Sequence, residues 1–390
     1  MASERVYYNE PFANIIISCD VHSDKAESTI KEKLSEAVKS FKPFGLAVLV
    51  DEENNLKYEN KGFEKNLENI NLSEADDLGV LKQLAGYPFD LSNAETLKII
   101  IRKESFGYTV YFCMHHIIAD ANSLILLLKR FAALMVEKNI PPVSDYTEEK
   151  KNTELDLKEK YLVDTINRHY PTKRYSREEF SEMHARLYRE NELEIEKRVL
   201  TKFEIEKIKE HCKTLGVSIS AYLVNEVFKE QKVETVCLPV DTRVKSELFG
   251  NYVSRIDIKR KDIGKSPDEN ERLKAIGGLI KKKLENREEI DRGEKMMDSI
   301  CPDFFDDVIF SAYTDKSVPF AKKMAKMISF KDERPTVFVS NLKRIDFEED
   351  ESFFVTNTCF YPPHPTERLS TVGVITQKNQ MIITTQKFKK

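Results

Sequence analysis

The sequence predicts a mixed α/β fold arranged as two lobes, and three observations support that prediction. Apolar residues alternate or run together in segments typical of strands, and between these segments they recur at helical spacing. The 390 residues are enough for two cores of ordinary domain size. A stretch with Pro141-Pro142 and few apolar positions separates the two halves. We therefore predict an N-terminal lobe over 1–140, an interlobe connection over 141–177 and a C-terminal lobe over 178–390.

The first half combines strands and helices. Ala13–Val21 is typical of a strand, and Ser23 or Asp24 is the expected N-cap of a helix that ends near Lys39. A hairpin, a short helical turn and a further strand should follow, at Gly45–Asp51 with Leu56–Glu59, Val80–Ala85 and Thr96–Arg102. The last of these should pair with the strand that follows Gly107.

The stretch from Tyr108 to Met135 is the most informative part of the chain. Residues up to His115 are mostly β-formers, and from Leu124 apolar residues recur at helical spacing. Between strand and helix lies the run His115-His116-Ile117-Ile118-Ala119-Asp120. A strand end that feeds a loop is held by the core yet opens onto a cleft, and adjacent side chains on extended backbone point to opposite faces. Only one of the two histidines can therefore face a given cleft.

The second half repeats this mixture. Thr201 is the expected N-cap of a helix through Leu215, Gly216 suits its left-handed C-cap, and Ser218 or Ser220 should begin the next helix. Strands are expected at Leu193–Leu200, Val233–Val240, Tyr252–Ile258, Thr336–Ser340, Phe353–Phe360, Val372–Thr376 and Met381–Thr385. Helices are expected at Asp268–Glu285, Asp303–Tyr313 and Phe320–Ile328, with another in the connection at Leu155–Asn167.

Charge and cysteine usage limit the function classes. The 62 basic and 66 acidic side chains leave a formal charge of −4, which is the wrong sign for a nucleic-acid binder. The six cysteines lie far apart, without CxxC pairs and mostly in apolar runs, as buried free thiols do. No run of about 18 uncharged apolar residues occurs, and the first residues lack an apolar stretch behind a basic start. We therefore predict a cytoplasmic protein without a membrane span.

The run from His115 to Asp120, placed between a strand and a helix, resembles the HHxxxD motif of the CoA-dependent acyltransferase superfamily. That superfamily includes chloramphenicol acetyltransferase, nonribosomal peptide condensation domains, polyketide-associated and alcohol acyltransferases, and wax ester synthases. The motif lies about a third of the way along the chain, as in the condensation and alcohol acyltransferase branches. Weaker similarities follow in the same order, at Pro88–Leu91, at Leu238–Arg243 for the PVxxR segment and at Val339–Leu342 for the SNLG segment.

The resemblance implies a fold and a set of roles. It implies two chloramphenicol-acetyltransferase-like lobes, each a mixed sheet flanked by helices, with the active-site channel between them. His116 would be the general base, since a histidine pKa near 6.5 suits that task at neutral pH. His115 would support the backbone from the opposite face. Asp120 would be structural and would pair with Arg243 as a clamp between the lobes.

Three positions depart from the family pattern or match it only in part. The glycine that usually follows the aspartate is Ala121, which narrows the expected passage for an acyl or pantetheine chain. Lys343 stands where the glycine of SNLG would be, whereas Ser123 matches the serine often found three residues after the aspartate. Donors for the oxyanion are expected among the backbone amides near Ala121 and the side chains of Ser340 and Asn341.

Other interpretations of these residues remain open. Asp120 could simply cap the helix that follows, Arg243 could be a solvated charge, and Ser340-Asn341 could be an ordinary turn. We expect no metal site at His115, His116 and Asp120, because adjacent strand residues diverge. His364, among prolines, is expected to be a loop residue without chemistry. Two lysine groups could meet CoA phosphates or an acidic carrier protein, although a solvated face is the simpler interpretation; they are Lys281, Lys282 and Lys283, and Lys322, Lys323 and Lys326.

The sequence therefore predicts an acyltransferase that moves an acyl group from a thioester, preferably acyl-CoA, to a hydroxyl or amine acceptor. No cofactor is expected beyond the acyl-CoA or phosphopantetheine thioester, which is a substrate. One alternative is a free-standing condensation-type enzyme that takes its acyl group from an acyl or peptidyl carrier protein. A second alternative is a catalytically silent binding module of the same fold.

Overall fold

The structure is a computed structural model that describes residues 2–138, 154–169, 173–243, 245–264, 268–314, 319–321, 336–364 and 369–389. Its helices are α1 (Ala2–Asn9), α2 (Glu27–Lys39), α3 (Glu64–Glu68), α4 (Asp77–Ala85), α5 (Ala121–Met135), α6 (Leu157–His169), α7 (Arg177–Glu190), α8 (Lys202–Leu215), α9 (Ile219–Glu230), α10 (Arg260–Ile263), α11 (Glu269–Glu285), α12 (Arg287–Asp298) and α13 (Pro302–Tyr313). Within the described ranges, no helix is both long and apolar enough to cross a membrane.

The strands are β1 (Asn14–Ser23), β2 (Leu46–Val50), β3 (Leu56–Asn60), β4 (Ile70–Leu72), β5 (Leu97–Glu104), β6 (Gly107–His115), β7 (Leu193–Leu200), β8 (Thr235–Asp241), β9 (Val253–Lys259), β10 (Thr336–Ile345), β11 (Phe353–Tyr361), β12 (Leu369–Gln377) and β13 (Gln380–Phe388). They form a five-stranded sheet in the order β11-β1-β6-β5-β4, a six-stranded sheet in the order β7-β13-β12-β10-β8-β9, and the hairpin β2-β3. Both large sheets contain parallel and antiparallel pairs. The predicted mixed α/β class and two-lobed architecture are confirmed.

One strand of the second half, β11, lies in the sheet of the first half, where it pairs antiparallel with β1. It also approaches β12 closely, because a Cβ at Gly373 would lie 2.1 Å from the carbonyl oxygen of Phe360. Only glycine leaves room for this crossing. The division into 1–140, 141–177 and 178–390 stays a prediction, and the strand exchange at β11 is a feature that it does not include.

Each sheet has its own hydrophobic core, and a third cluster of buried residues joins the helices. Val163 of α6, Phe180 of α7 and Phe305 of α13 are buried in this third cluster, and Val6 of α1 packs against it. Helix α1 therefore lies beside the helices of the middle of the chain. The third cluster fixes the position of α1, which matters for the site described below.

Several predicted elements agree with the structure, and the differences have local causes. Thr201 and Ser218 are N-caps as predicted, and Gly216 is the left-handed C-cap of α8. Helix α2 is capped by Ala26 without a side-chain bond, not by Ser23 or Asp24, because β1 continues to Ser23. Strand β10 extends beyond Ser340 through a register shift. Most of the helix predicted at Phe320–Ile328 lies outside the described residues.

Candidate active site

His115 is the last residue of β6, and His116 follows it. Strand β6 lies in the middle of the first sheet, between β1 and β5. His115 is fully buried, with Nε2 3.2 Å from the carbonyl oxygen of Glu10. Its Nδ1 accepts the backbone N–H of Ile117 at 3.3 Å. This pattern corresponds to a neutral ring that donates from Nε2, and burial lowers the pKa of His115 well below its ordinary value. His115 therefore supports the strand end from the side of the core.

His116 points the other way and is partly exposed. Its backbone N–H donates to the carbonyl oxygen of Ala13 at 2.8 Å, which continues the pairing of β6 with β1. The imidazole stacks on the ring of Tyr7 from α1, with centroids 4.2 Å apart and planes 13° apart. From the second lobe, Nδ2 of Asn251 donates to the carbonyl oxygen of His116 at 3.0 Å and lies 3.4 Å from its Nδ1. Residues from two distant parts of the chain, α1 and the second lobe, therefore contact His116.

The protonation state of His116 follows from these contacts. Asn251 Nδ2 is a donor, so its 3.4 Å contact with Nδ1 is a hydrogen bond only when Nδ1 carries no proton. The bond from Asn251 to the carbonyl oxygen of His116, at 3.0 Å, is the shorter of the two contacts. Burial lowers the pKa of His116 below the ordinary value of 6.5, while its own carbonyl and Asp120 act to raise it. At neutral pH the ring is a neutral base.

Asp120 lies four residues further on, as the N-cap of α5. Its Oδ1 accepts the backbone N–H of Ser123 at 3.0 Å, and its Oδ2 accepts the backbone N–H of Tyr252 at 2.9 Å. The same carboxylate forms a salt bridge with Arg243, and both side chains are almost completely buried. The predicted contact between Asp120 and Arg243 is therefore present. We call Asp120, Ser123, Arg243 and Gly250 the clamp, because they join α5 to the loop between β8 and β9.

Arg243 also bonds to two residues outside the clamp. Its Nη1 donates to Asp241 at 2.9 Å, and its Nε donates to the carbonyl oxygen of Leu248 at 2.9 Å. Phe249, the residue after Leu248, is buried against Phe41 and Phe44, and its ring centroid lies 4.7 Å and 5.2 Å from theirs. The loop is thus anchored in the core of the first lobe by both a charge pair and an aromatic side chain. This anchoring brings Asn251 to His116.

Ser123 belongs to this clamp and not to the substrate passage. Its hydroxyl donates to the carbonyl oxygen of Gly250 at 2.9 Å, and it accepts from the N–H of Gly250 at 3.0 Å and from Nη2 of Arg243 at 2.9 Å. A hydroxyl has one donor and two acceptor sites, so none remains for a substrate. The predicted substrate-binding role of Ser123 is therefore corrected to a structural one.

The other predicted binding residues lie in two places. Ala121 is the first residue of α5 and is buried beside the clamp. Ser340 and Asn341 lie on β10 and not in an ordinary turn, with the register shift immediately after Asn341. Neither side chain is among the described hydrogen-bond partners of His116 or Asp120. Their predicted oxyanion role stays a prediction.

The departure at Lys343 has a structural consequence. Asn341 accepts the backbone N–H of Lys343 at 2.9 Å, and Lys343 has a φ of +63°, in the left-handed region that favours glycine. The glycine of the SNLG pattern would suit this backbone, and lysine adopts it at an energetic cost of about 1–2 kcal/mol.

His364 and the lysine groups complete the predicted set. His364 follows β11 and is buried against Phe388, with no hydrogen-bond partner for either ring nitrogen in the described part of the chain. Lys281, Lys282 and Lys283 lie in the last turns of α11. Lys322, Lys323 and Lys326 lie outside the described residues. Among the residues that the structure describes, no three His, Cys, Asp or Glu side chains are grouped as metal ligands, and the six cysteines form no disulfide.

Sequence reasoning missed Tyr7 and Asn251, the two side chains that contact His116 most closely. Tyr7 lies on α1, a helix of eight residues that was not predicted. Asn251 follows Gly250 between two predicted strands, and a Gly-Asn pair between strands is a common turn signal. Neither position gave a signal for a site, because each reaches His116 only through tertiary contacts.

No protein-family profile matches the chain, and no curated protein sequence matches it. Solved structures do match. The first condensation domain of the calcium-dependent antibiotic synthetase, in complex with a substrate analogue, has a TM-score of 0.64 at 12% identity, over 99% of this chain and 87% of that one. Polyketide synthase associated protein 5 from Mycobacterium tuberculosis has a TM-score of 0.59 at 12% identity, over 99% and 92%.

A third similar structure is the starter condensation domain of a rhizomide synthetase mutant in complex with C8-CoA and Leu-SNAC. Its TM-score is 0.60 at 11% identity, over 99% of this chain and 86% of that one. At such low identity these likenesses establish the fold. The chain has the two-lobed fold of these condensation domains, which is the fold that the resemblance of the His115–Asp120 run implies.

Proposed function

We propose that this chain is an acyltransferase that moves an acyl group from a thioester to a hydroxyl or amine acceptor, with His116 as the general base. The observation that carries the proposal is the position of the His116 ring. It lies at a partly exposed strand end where Asn251 of the second lobe meets it, and burial lowers its pKa below the ordinary value of 6.5. An imidazole that is neutral at neutral pH is suited to removing a proton.

The proposed reaction has two steps. The neutral ring of His116 takes the proton of the acceptor O–H or N–H while the acceptor atom forms a bond to the thioester carbonyl carbon. The carbon–sulfur bond of the tetrahedral intermediate then breaks, and the leaving thiolate takes the proton back from the imidazolium. Asp120 does not exchange protons in this scheme, because Ser123, Tyr252 and Arg243 already occupy its carboxylate.

Acyl-CoA is the donor that we favour. One similar structure is in complex with C8-CoA, so a protein of this fold holds such a molecule. The condensation domains among the similar structures favour the second candidate, an acyl or peptidyl carrier protein as donor. A silent binding module remains the third candidate, since Ala121 replaces the expected glycine beside the site.

The first experiment measures acyl transfer directly. Purified protein is incubated with a panel of acyl-CoAs and with alcohol and amine acceptors, and release of free thiol and the mass of the product are recorded. We expect His116→Ala to lower turnover by about a hundredfold or more, the scale typical of losing a general base. The matched control is His211→Ala, which removes an exposed histidine on α8 and should leave turnover unchanged. Near-normal turnover in His116→Ala would rule out His116 as the base.

The two histidines should also differ in what they affect. His115→Ala removes a buried ring and its bond to Glu10, so it should lower the thermal midpoint, whereas His116→Ala should retain the fold. The donor is distinguished by comparing acyl-CoA with a phosphopantetheinylated carrier protein that bears the same acyl group. Product from the carrier alone would favour the condensation-type enzyme. Binding of acyl-CoA by thermal shift, without product from either donor, would favour the silent module.

A further inference from the structure

Tyr7 is the aromatic side chain that covers one face of the His116 ring. The two rings are nearly parallel, with centroids 4.2 Å apart and an interplanar angle of 13°. From the second lobe, Asn251 donates to the carbonyl oxygen of His116 at 3.0 Å. Tyr7 and Asn251 therefore both contact His116, one through its ring and the other through its backbone.

The position of Tyr7 depends on how firmly α1 is held. Arg5, two residues earlier on the same helix, forms a buried salt bridge with Asp306 of α13. Arg5 also donates to the backbone oxygen of Asn54 at 2.7 Å, and Asn9 donates to Asp306 at 2.6 Å. These bonds lie on both sides of Tyr7 along the helix, so α1 can neither slide nor rotate without breaking them. A short helix that would be marginal by itself is thereby made rigid.

We propose that Tyr7 is a positioning residue, which holds the plane of the His116 ring and keeps water from one of its faces. This inference deepens the proposed function, because it assigns a support to the residue that we propose as the base. Rings of this kind stack with a preferred spacing and offset, so the Tyr7 ring restricts the rotation of the imidazole and the direction in which its nitrogens point.

The charged and titratable groups around the stack must be considered together. The charge of Asp120, in the loop before α5, acts to raise the pKa of both His116 and Tyr7. Glu10, after α1, acts to raise the pKa of Tyr7, and Arg255, on β9, acts to lower it. The buried neutral His115 is the neighbour of His116 in the chain. Burial is the largest influence on the pKa of His116. Exposing one face of its ring should therefore change that pKa more than small changes at these charged groups do.

The test reads the ionisation of His116 by NMR, using protein labelled at its histidine rings and titrated between about pH 5 and pH 8. The His116 signal is identified by its loss in His116→Gln. In Tyr7→Ala, water reaches the ring, so the titration midpoint should shift upward toward the ordinary value of 6.5. Tyr7→Phe keeps the stacked ring and should hold the midpoint near that of the unmodified protein.

Two further variants keep the result interpretable. Tyr8→Ala is the matched control, because Tyr8 lies on the same helix between Arg5 and Arg177, at 5.5 Å and 5.6 Å, and its ring is not stacked on His116. It should leave the His116 midpoint unchanged. Tyr7→Leu retains apolar volume without a flat ring, and serves if Tyr7→Ala fails to fold; its midpoint should also shift upward, by less.

An unchanged midpoint in a folded Tyr7→Ala or Tyr7→Leu variant would overturn the inference, as would an equal shift in Tyr8→Ala. Because the measurement needs no substrate, it separates this inference from the proposed function. A shifted midpoint without detectable acyl transfer would leave Tyr7 as the support of His116 and remove only the proposed activity. Acyl transfer with an unchanged midpoint would support the proposed activity and remove Tyr7 as the support of His116.

Discussion

Two buried arginine–aspartate pairs support the His116 region, and they differ in how the carboxylate is satisfied. In the clamp, Asp120 accepts backbone N–H bonds from Ser123 and Tyr252 in addition to its salt bridge with Arg243. In the other pair, the partners of Asp306 among the described residues are all side chains, namely those of Arg5, Asn9 and Asn54. The first pair holds the loop that contains Asn251, and the second holds the helix that contains Tyr7.

In the second pair, the donors do not offset the cost of burying the charge. Burial raises the pKa of Asp306 above its ordinary value of 3.8, even though Arg5, Asn9 and Asn54 act to lower it. Backbone amides at a helix start are fixed in position and add the favourable end of the helix dipole to Asp120. Side-chain donors lose conformational freedom when they are held in place. The comparison teaches that the same pair of residue types is better satisfied where the backbone supplies donors.

Breaking the clamp should give the largest effect. Asp120→Ala leaves the buried Arg243 side chain without its carboxylate partner, and we expect a loss of about 3–5 kcal/mol in the free energy of unfolding. Because both residues share one network, Asp120→Ala combined with Arg243→Ala should cost less than the sum of the two single variants. Urea unfolding of the four proteins measures this.

The control for this cycle is the exposed pair of Glu27 and Lys31 on α2, whose nitrogen and oxygen lie 3.0 Å apart. Its coupling should be no more than about 0.5 kcal/mol. Additive effects at Asp120 and Arg243 would mean that the two residues do not act as one clamp.

Breaking the second pair should cost less and should depend on pH. Arg5→Met removes the main donor of Asp306, and we expect a loss of about 3 kcal/mol near pH 8, because Asn9 and Asn54 remain as donors. The pKa of Asp306 is already raised in the folded state. A carboxyl with a raised folded pKa binds protons more readily folded than unfolded, so acidification favours the fold.

The deficit of Arg5→Met relative to the unmodified protein should therefore shrink as the pH falls toward about 5. Thermal unfolding at several pH values measures the deficit. A deficit that stays constant or grows on acidification would contradict the assignment of the cost to a buried carboxylate.

His364 is the limiting case of this comparison, because it is buried and neither ring nitrogen has a hydrogen-bond partner among the residues that the structure describes. Burial lowers the pKa of His364 from 6.5 to about 3. Because the unfolded state takes up a proton below 6.5 and the folded state does not, stability is full above that pH and is lost as the pH falls toward 3. Between about pH 7 and pH 5 this loss should be about 2 kcal/mol.

His364→Leu removes the titrating group and should flatten this part of the stability profile. Chemical unfolding at pH 7 and pH 5 compares the two proteins, and His22→Leu is the control, since His22 is only partly buried and bonds to Thr356. An equally steep decline in His364→Leu would show that other groups cause it.

Much of the fold was predictable because its signals are local. Alternating and helical apolar patterns identified most strands and helices, and capping residues such as Thr201 and Gly216 marked their ends. The short helices gave weak signals. Helix α1 has few residues over which a periodic pattern could develop, and its stability comes from Arg5 and the third cluster. The strand exchange of β11 was not predictable, because strand pairing across some 340 residues leaves no local pattern.

The sequence by itself determined the mixed α/β class, the His115–Asp120 run at a strand end and the opposite directions of its two histidines, since backbone alternation fixes these features. The Arg243 contact came from the family resemblance. Only the tertiary structure decided that Ser123 is used up inside the clamp, and that Tyr7 and Asn251 contact His116. Those contacts join segments far apart in the chain. They depend on how three cores pack together, and no spacing within a single segment encodes that packing.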